Sequence, residues 1–333
     1  MINLMLLKLT NIWPYIIILN RRSPMKSCVV IYNPNSGHTL RKSMIPIYKE
    51  LIEKHGYSVK FIATQYKGHA KEIVSHIGYV DLVISMGGDG TFNEIVFGNF
   101  QRKQRLILAH IPVGTTNDVG VMFGYGKDIE KNIHLCLTGE VMDLDIPLIN
   151  NRPFVYVAGF GKFLDIPYET PRSLKKKYGH LAYLIAGVKD FFRVTKNYKL
   201  TYTIDGVEKK GLYSFILISS ANRIAGFNNF YKDVKLDDDL FEVLFCTYTR
   251  RLDIIKAFGM LRATGPNNVS GLEFHRTSNI KITFDQHQKK AWCVDGEKLE
   301  IRTKTYEIKN ERNVKILMPK KNIDKLFTQE KSN

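Results

Sequence analysis

Between Lys26 and Gly139 short apolar runs alternate with runs of helical period, and that alternation restricts the fold more than any other feature of the chain. Cys28–Tyr32, the alternating Tyr57, Val59 and Phe61, Asp81–Met86 and Leu106–Ile111 read as strands. Ile45, Tyr48, Leu51 and Ile52 recur at helical spacing and stop at Gly56; Ala70, Ile73, Val74 and Ile77 mark a second helix, and Thr91–Phe100 a third. Strands and helices in strict alternation predict an α/β domain of three layers, a parallel sheet covered by helices on both faces. In such sheets ligands bind at the carboxyl ends of the strands.

After about Asp143 the pattern changes. Pro153–Ala158, Lys199–Ile204, Leu212–Ser219, Phe241–Thr247, Asn279–Phe284, Lys298–Arg302 and Val314–Met318 are short alternating runs. Only Leu181–Phe192 and Leu252–Ala263 have helical character. Many short strands separated by turns predict a second, mainly antiparallel β-sandwich domain. The sequence divides into an extension (1–24), an α/β nucleotide-binding domain (25–145), a β-rich domain (146–319) and a tail (320–333) that has the option of packing back on the first domain.

The segment richest in chemistry is Ser85-Met86-Gly87-Gly88-Asp89-Gly90-Thr91-Phe92-Asn93-Glu94, where a strand runs through three glycines and an aspartate into a helix. Glycines let a backbone approach a ligand closely, and a helix N-terminus offers amides and a positive dipole end to an anion. It is neither a P-loop nor a G-x-G-x-x-G fingerprint. Two more polar loops follow other strands, Asn33-Pro34-Asn35-Ser36-Gly37 and Pro112-Val113-Gly114-Thr115-Thr116-Asn117-Asp118. Three such loops at strand ends converge on one phosphate-bearing ligand. Late in the chain, Trp292-Cys293-Val294-Asp295-Gly296-Glu297 sets two carboxylates around a glycine. Asp-Gly is also a strong hairpin signal, so spacing alone leaves turn and function both open.

Composition narrows the partners. Hydrophobic content of 44% and charged content of 24% exclude disorder. Four scattered cysteines form no CxxC or Cys/His cluster, which excludes a disulfide scaffold, argues against zinc and implies reduced cytosolic thiols. Lys and Arg number 49 against 32 Asp and Glu, a formal charge of +17 that suits nucleic acid, an anionic membrane or phosphorylated ligands. No helix-turn-helix, zinc-finger or RNP signature supports nucleic acid. Arg172, Lys175, Lys176, Lys177, Arg193, Lys196 and Lys199 surround apolar Leu181–Phe192, a composition suited either to anionic headgroups or to a solvated helix face. Phe160, Phe163, Leu164 and Ile166 are candidates for an apolar cleft or for core. Residues 1–24 carry an apolar stretch broken by Lys8 and Pro14; an upstream translation start, a tail, a membrane anchor and a core element are all open.

The Asn-Pro-x-Ser-Gly, Gly-Gly-Asp-Gly-Thr-x-Asn-Glu, Pro-x-Gly-Thr-x-Asn-Asp and Asp-Gly-Glu segments, in this order, resemble the diacylglycerol kinase catalytic-domain family, and its soluble bacterial members most. The resemblance runs from about Lys26 to Pro319 and includes Tyr168–Pro171, Gly179–Tyr183 and Lys235–Asp238. It implies an ATP-dependent, cytoplasmic kinase that phosphorylates diacylglycerol to phosphatidate at an anionic membrane surface, or a kinase of another lipid on the same scaffold, as a monomer or homodimer. NAD kinases share the Gly-Gly-Asp-Gly loop, but the first and last segments favour a lipid acceptor. By resemblance, Asn33, Pro34, Asn35, Ser36, Gly37, Thr64, Gly88, Asp89, Gly90, Thr91, Phe92, Asn93, Glu94 and Thr115 bind the nucleotide. Asp89 also organises the catalytic Mg²⁺, and Asp295 with Glu297 supplies the base. A second, structural Mg²⁺ is implied at Asp238 with the backbone carbonyls of Lys235 and Leu240. The chain departs from the family at His38, where lysine is common, and at Asp239, where glycine is common.

Overall fold

The structure is a computed structural model describing residues 25–36, 42–115, 117–161, 196–221, 223–224, 227–228, 231, 234–265, 268–299 and 301–328. The chain forms two compact units. The first takes residues up to Gly114, Phe123–Met142 and Lys315–Lys320; the second takes Thr115–Met122, Asp143–Val314 and the residues from Lys321 onward. The expected terminal tail therefore starts in the first unit and continues in the second.

The first unit contains β1 (Lys26–Tyr32), α1 (Ile45–Lys54), β2 (Tyr57–Ala63), α2 (His69–His76), β3 (Leu82–Gly87), α3 (Asp89–Phe100) and β4 (Leu108–Pro112). The strands lie in the order β2-β1-β3-β4 and all pair in parallel, as the alternation predicts. Every residue of β3 and β4 is buried, because helices cover both faces. After α4 (Asp118–Met122), which belongs to the second unit, α5 (Ile129–Leu137) returns to the first and packs on α1 and β4. Asp128 caps α5 by accepting from the Lys131 amide at 3.1 Å. Arg102 Nη1 donates to the carbonyls of Val74 and Ile77, 2.7 Å each, and so closes the C-terminus of α2. At Gly98 of α3 a Cβ would strike the Lys71 carbonyl oxygen and lie 2.9 Å from Val74 Cβ.

The boundary between units falls inside β5 (Glu140–Ile149), whose first four residues are exposed or half-buried and whose last six are buried. The second unit continues with β6 (Arg152–Pro153), β7 (Val157–Gly161), β8 (Tyr198–Ile204), β9 (Val207–Tyr213) and β10 (Phe215–Ser219). A small ladder of β11 (Arg223–Ile224) and β12 (Phe227–Asn228) follows. Then come β13 (Phe241–Cys246), α6 (Arg251–Thr264), β14 (Leu272–Thr277), β15 (Asn279–Phe284), β16 (Cys293–Val294), β17 (Glu297–Lys298), β18 (Thr305–Met318) and α7 (Ile323–Leu326). One sheet runs β9-β8-β15-β18, with the β5–β6 hairpin attached to β18; the other runs β14-β13-β10-β7-β16-β17, antiparallel throughout. Their facing side chains form one core in which Phe160 meets the rings of Phe284 (4.7 Å), Tyr198 (4.8 Å) and Trp292 (5.6 Å). Phe160 is thus a core residue. The last residues of β18 leave this unit: Ile316 and Leu317 pair in parallel with Leu108 and Ala109 of β4.

Three of the expected strands differ. Leu212–Ser219 is split at Ser214, whose amide (2.8 Å) and hydroxyl (3.3 Å) both donate to the Cys246 carbonyl as the chain crosses from one sheet to the other. Pro153–Ala158 is interrupted because the amides of residues 155–157 turn to a side chain instead of a neighbouring strand. Only the start of Lys298–Arg302 pairs, in the two-residue β17. Leu252–Ala263 is helical, within α6; Leu181–Phe192 lies outside the described residues, as do residues 1–24, the basic residues 172–193, and Phe163, Leu164 and Ile166. All four cysteines are buried and none forms a disulfide, and no described helix is long and apolar enough to cross a membrane.

Gly98→Ala should lower Tm by a few degrees. The helix propensity gained, about 1 kcal/mol, is smaller than the roughly 1–3 kcal/mol cost of overpacking α2 against α3. A thermal melt with unchanged or higher Tm would contradict this packing.

Candidate active site

The parallel sheet brings most of the first-unit residues to one edge. The Asn33 amide donates to the Met86 carbonyl at 3.3 Å, setting the first loop beside the end of β3. Within that loop Asn33 Oδ1 accepts from the Asn35 amide at 2.9 Å and the Asn33 carbonyl from the Ser36 amide at 3.1 Å. The Thr64 amide donates to the Tyr32 carbonyl at 2.8 Å, placing Thr64 at the end of β1. Pro34 lies in the same turn, whereas Gly37, His38 and Arg41 lie outside the described residues.

The Gly-Gly-Asp-Gly segment closes β3 and opens α3. Gly88 is extended, with ψ 179°, and its carbonyl accepts from the amides of Thr91 (2.9 Å) and Phe92 (3.2 Å). A Cβ at Gly87 would lie 2.6 Å from Thr91 Cβ, so a side chain there would displace the first helical turn. A Cβ at Gly88 would stand 3.4 Å from the Gly114 Cα, which brings the third loop against the second; the Val113 amide to Gly87 carbonyl bond of 2.8 Å holds them together. Asp89 is the first residue of α3, with Gly90 next and Thr91, Phe92 and Asn93 buried behind it. The positive end of the helix dipole therefore sits in this loop. Glu94 points elsewhere: Oε1 accepts from the Gly68 amide (2.8 Å) and Oε2 from the Ala70 amide (3.2 Å), capping α2. Thr115 is exposed and begins the segment 115–122 that groups with the second unit.

In the second unit Asp295 (φ +48°) and Gly296 (φ +79°) both adopt positive φ between β16 and β17, the signature of a type I′ hairpin turn. The Asp295 carboxylate is buried and accepts three backbone amides, Val155 on Oδ2 (2.6 Å) with Tyr156 (3.1 Å) and Val157 (3.0 Å) on Oδ1. Burial raises its pKa to about 6, against the opposing pull of those amides and of Arg152. Glu297 is the more accessible member of the pair, with a side chain 27% exposed and Oε2 3.7 Å from Arg152 Nη2. Arg152 also donates Nη1 to the Lys298 carbonyl at 3.4 Å.

Of the groups expected around a second cation, the Asp238 carboxylate has protein partners, while Lys235 bonds the end of α7 through its side chain and Leu240 bonds Asp238 through its amide, neither through its carbonyl. Asp238 accepts the Leu240 amide on Oδ1 (3.1 Å) and Arg276 Nη2 on Oδ2 (2.7 Å). Arg276 Nε also faces Glu242 Oε1 at 3.3 Å. Asp239 holds φ +61°, and its amide donates to Asp145 Oδ2 at 2.6 Å, so the aspartate occupies the left-handed conformation that glycine favours. Lys235 Nζ donates to the carbonyls of Asp324, Lys325 and Phe327 (3.1, 3.2 and 2.8 Å), fixing the end of α7. Asp237 accepts from the amide and hydroxyl of Thr328, and these bonds group the terminal segment with the second unit. Among the described residues no group of three or more His, Cys, Asp or Glu side chains could hold a metal ion.

Sequence reading alone did not single out Arg152, Arg276 or the buried His110; a basic residue inside an otherwise apolar run was the signal available for His110.

A family model described as the diacylglycerol kinase catalytic domain matches residues 27–149. A diacylglycerol kinase of Bacillus subtilis (strain 168) is 27% identical over 305 residues, covering 91% of this chain and 99% of that protein. A diacylglycerol kinase of Staphylococcus aureus (strain JH9) is 35% identical over 222 residues, 66% of this chain and 70% of its own length. Among solved structures, a crystal structure of a diacylglycerol kinase from Bacillus anthracis str. Sterne shares the fold, with TM-score 0.69 and 19% identity over 90% of this chain and 99% of that one. The chain belongs to the diacylglycerol kinase family. It is a kinase, and its acceptor is a lipid.

Burial raises the pKa of three carboxyl groups of the second unit, Asp145 and Asp295 to about 6 and Glu242 to about 7. Each folded pKa exceeds its unfolded value, so this contribution to stability is present below about pH 4 and is lost as the pH rises through 6 to 7. Glu242→Gln should therefore raise Tm more at about pH 8 than at about pH 5. Calorimetry at the two pH values checks this, and an equal effect at both would contradict it.

Proposed function

We propose that this enzyme transfers the γ-phosphate of ATP to the free hydroxyl of diacylglycerol and releases phosphatidate and ADP, docked on an anionic membrane. The turn at Asp295–Glu297 carries the reading. It holds one carboxylate on three amides and leaves its neighbour, Glu297, partly exposed beside Arg152. The polar loops at the ends of β1, β3 and β4 supply what a triphosphate needs: backbone that comes close at Gly88 and Gly114, and the N-terminus of α3. Relatives called diacylglycerol kinase over 70% and 99% of their length support the acceptor.

Asp89 fits a magnesium ion that arrives with the nucleotide. Mg²⁺ takes few protein ligands and completes its shell with phosphate oxygens and water, so one carboxylate at the loop suffices. Bound there, the ion would neutralise charge on the phosphates during transfer. A second ion at Asp238 does not fit the same way, because both carboxylate oxygens already have partners and Arg276 supplies the positive charge. No step of the proposed reaction passes through that position.

Division of the base role follows from access. Three amides and 5% exposure fit Asp295 for positioning the turn. Glu297 then takes the proton of the acceptor hydroxyl as the new O–P bond forms and the bond to the bridging oxygen of ADP breaks. Arg152 holds the Glu297 carboxylate in place. Of the +17 surplus, the portion not facing phosphates serves docking to anionic headgroups.

Glu297→Gln should cut kcat by about 100-fold or more with nucleotide affinity intact; a loss under about tenfold would remove Glu297 from the base role. Labelled ATP and Mg²⁺ supplied with vesicles containing diacylglycerol, a sphingoid base or phosphatidylglycerol should label diacylglycerol best. Preferential labelling of either other lipid would reassign the acceptor on the same scaffold.

A further inference from the structure

His110 stands in the middle of β4, flanked by Ala109 and Ile111, with no exposed surface. Neither ring nitrogen makes a hydrogen bond of full geometry, although the backbone of Ser85, the residue opposite it on β3, lies close enough to favour the protonated ring; the Ser85 hydroxyl also lacks a partner. Burial lowers the imidazole pKa to about 3, against the opposing pull of the Ser85 backbone. Its face stacks on Phe92 of α3, centroids 4.8 Å apart at 23°, which fixes the plane of the ring. The ring edge is directed at the Gly-Gly-Asp-Gly loop: Nε2 lies 3.9 Å from Asp89 Oδ1.

Packing alone does not account for this residue. An apolar side chain would fill the same space, whereas an unmade buried donor costs about 1–3 kcal/mol. At 3.9 Å the Asp89 contact is too long for a hydrogen bond, so it does not offset that cost in this conformation. A movement of the carboxylate by about 1 Å would bring it within bonding distance.

We propose that His110 is a positioning residue for Asp89: when Asp89 turns toward the cation bound to the ATP phosphates, His110 Nε2–H donates to Oδ1 and fixes the carboxylate. This rests on the reading of Asp89 given above. Carboxylates that hold metals are themselves held by such outer hydrogen bonds, and losing one weakens metal affinity or activity by about 10- to 100-fold.

The test pairs His110→Leu, which keeps the volume without the donor, with His110→Gln, which restores an N–H. His110→Leu should fold with a Tm no lower than the parent and require about tenfold more Mg²⁺ for half-maximal turnover at fixed ATP. Its KM for lipid should be unchanged, and His110→Gln should recover much of the Mg²⁺ response. A parental Mg²⁺ curve in His110→Leu would overturn the proposal and leave His110 a packing residue. A readout independent of turnover is the ¹⁵N spectrum of histidine-labelled protein, which should show His110 protonated at Nε2 and shifted by Asp89→Asn. A proton on Nδ1, or a resonance that ignores Asp89→Asn, would overturn it even if His110→Leu fails to fold. Absence of ATP turnover in the parent protein would instead refute the kinase reading, and the two failures are thereby separable.

Discussion

Burying both faces of a parallel sheet leaves its strands one place at which to do chemistry, the backbone at their carboxyl ends. In the first unit β3 and β4 are buried at every residue, so their side chains, His110 apart, are committed to packing. What remains is the row of turns after β1, β2, β3 and β4, tied to one another by the Asn33–Met86, Thr64–Tyr32 and Val113–Gly87 backbone bonds. Glycine at 87 and 88 follows from the same constraint, since a side chain there would meet the first turn of α3 or the backbone of Gly114. Phosphate recognition by such an edge needs few side chains because backbone amides and a helix dipole carry it.

The second unit solves a different problem, how to hold an acid pair on a tight hairpin. A type I′ turn asks for positive φ at two successive residues, which Asp-Gly tolerates better than most pairs. Here the aspartate that satisfies the turn also gathers the amides of residues 155–157. Of the two readings that spacing left open, the hairpin turn is present, and the proposed acid pair sits on that same turn. Removing the carboxylate would strand three buried donors and release the segment leading into β7.

The alternation of strands and helices from Lys26 onward was legible because each element there buries a periodic face, and period is what a sequence displays. The positions of the first-unit loops were legible as well, since glycine, proline, asparagine and aspartate mark where strands end in turns. Long-range hydrogen bonds were not. Nothing local marks Ser214 as the point where the chain changes sheets, because its partner, Cys246, is on another strand. Glu94 belongs to a motif that reads as nucleotide-binding, yet its carboxylate caps α2 across the fold. Arg276 meets Asp238 and Glu242 only through the pairing of β13 with β14. In each case the side chain's role is set by a partner distant in sequence, which composition and spacing do not encode.

Strand β18 has one further consequence. Its final residues supply the neighbour of β4 in the first unit, although roughly 200 residues separate the two segments, and closing so long a loop is slow compared with local pairing. During synthesis β1 to β4 emerge early and can assemble with their helices, while the flank of β4 stays open until almost the whole chain has been made. An unpaired flank of this kind invites pairing with other chains. Completion of the parallel layer is thus among the last events of folding, and any stop codon before Ile316 would leave an aggregation-prone edge on an otherwise assembled sheet.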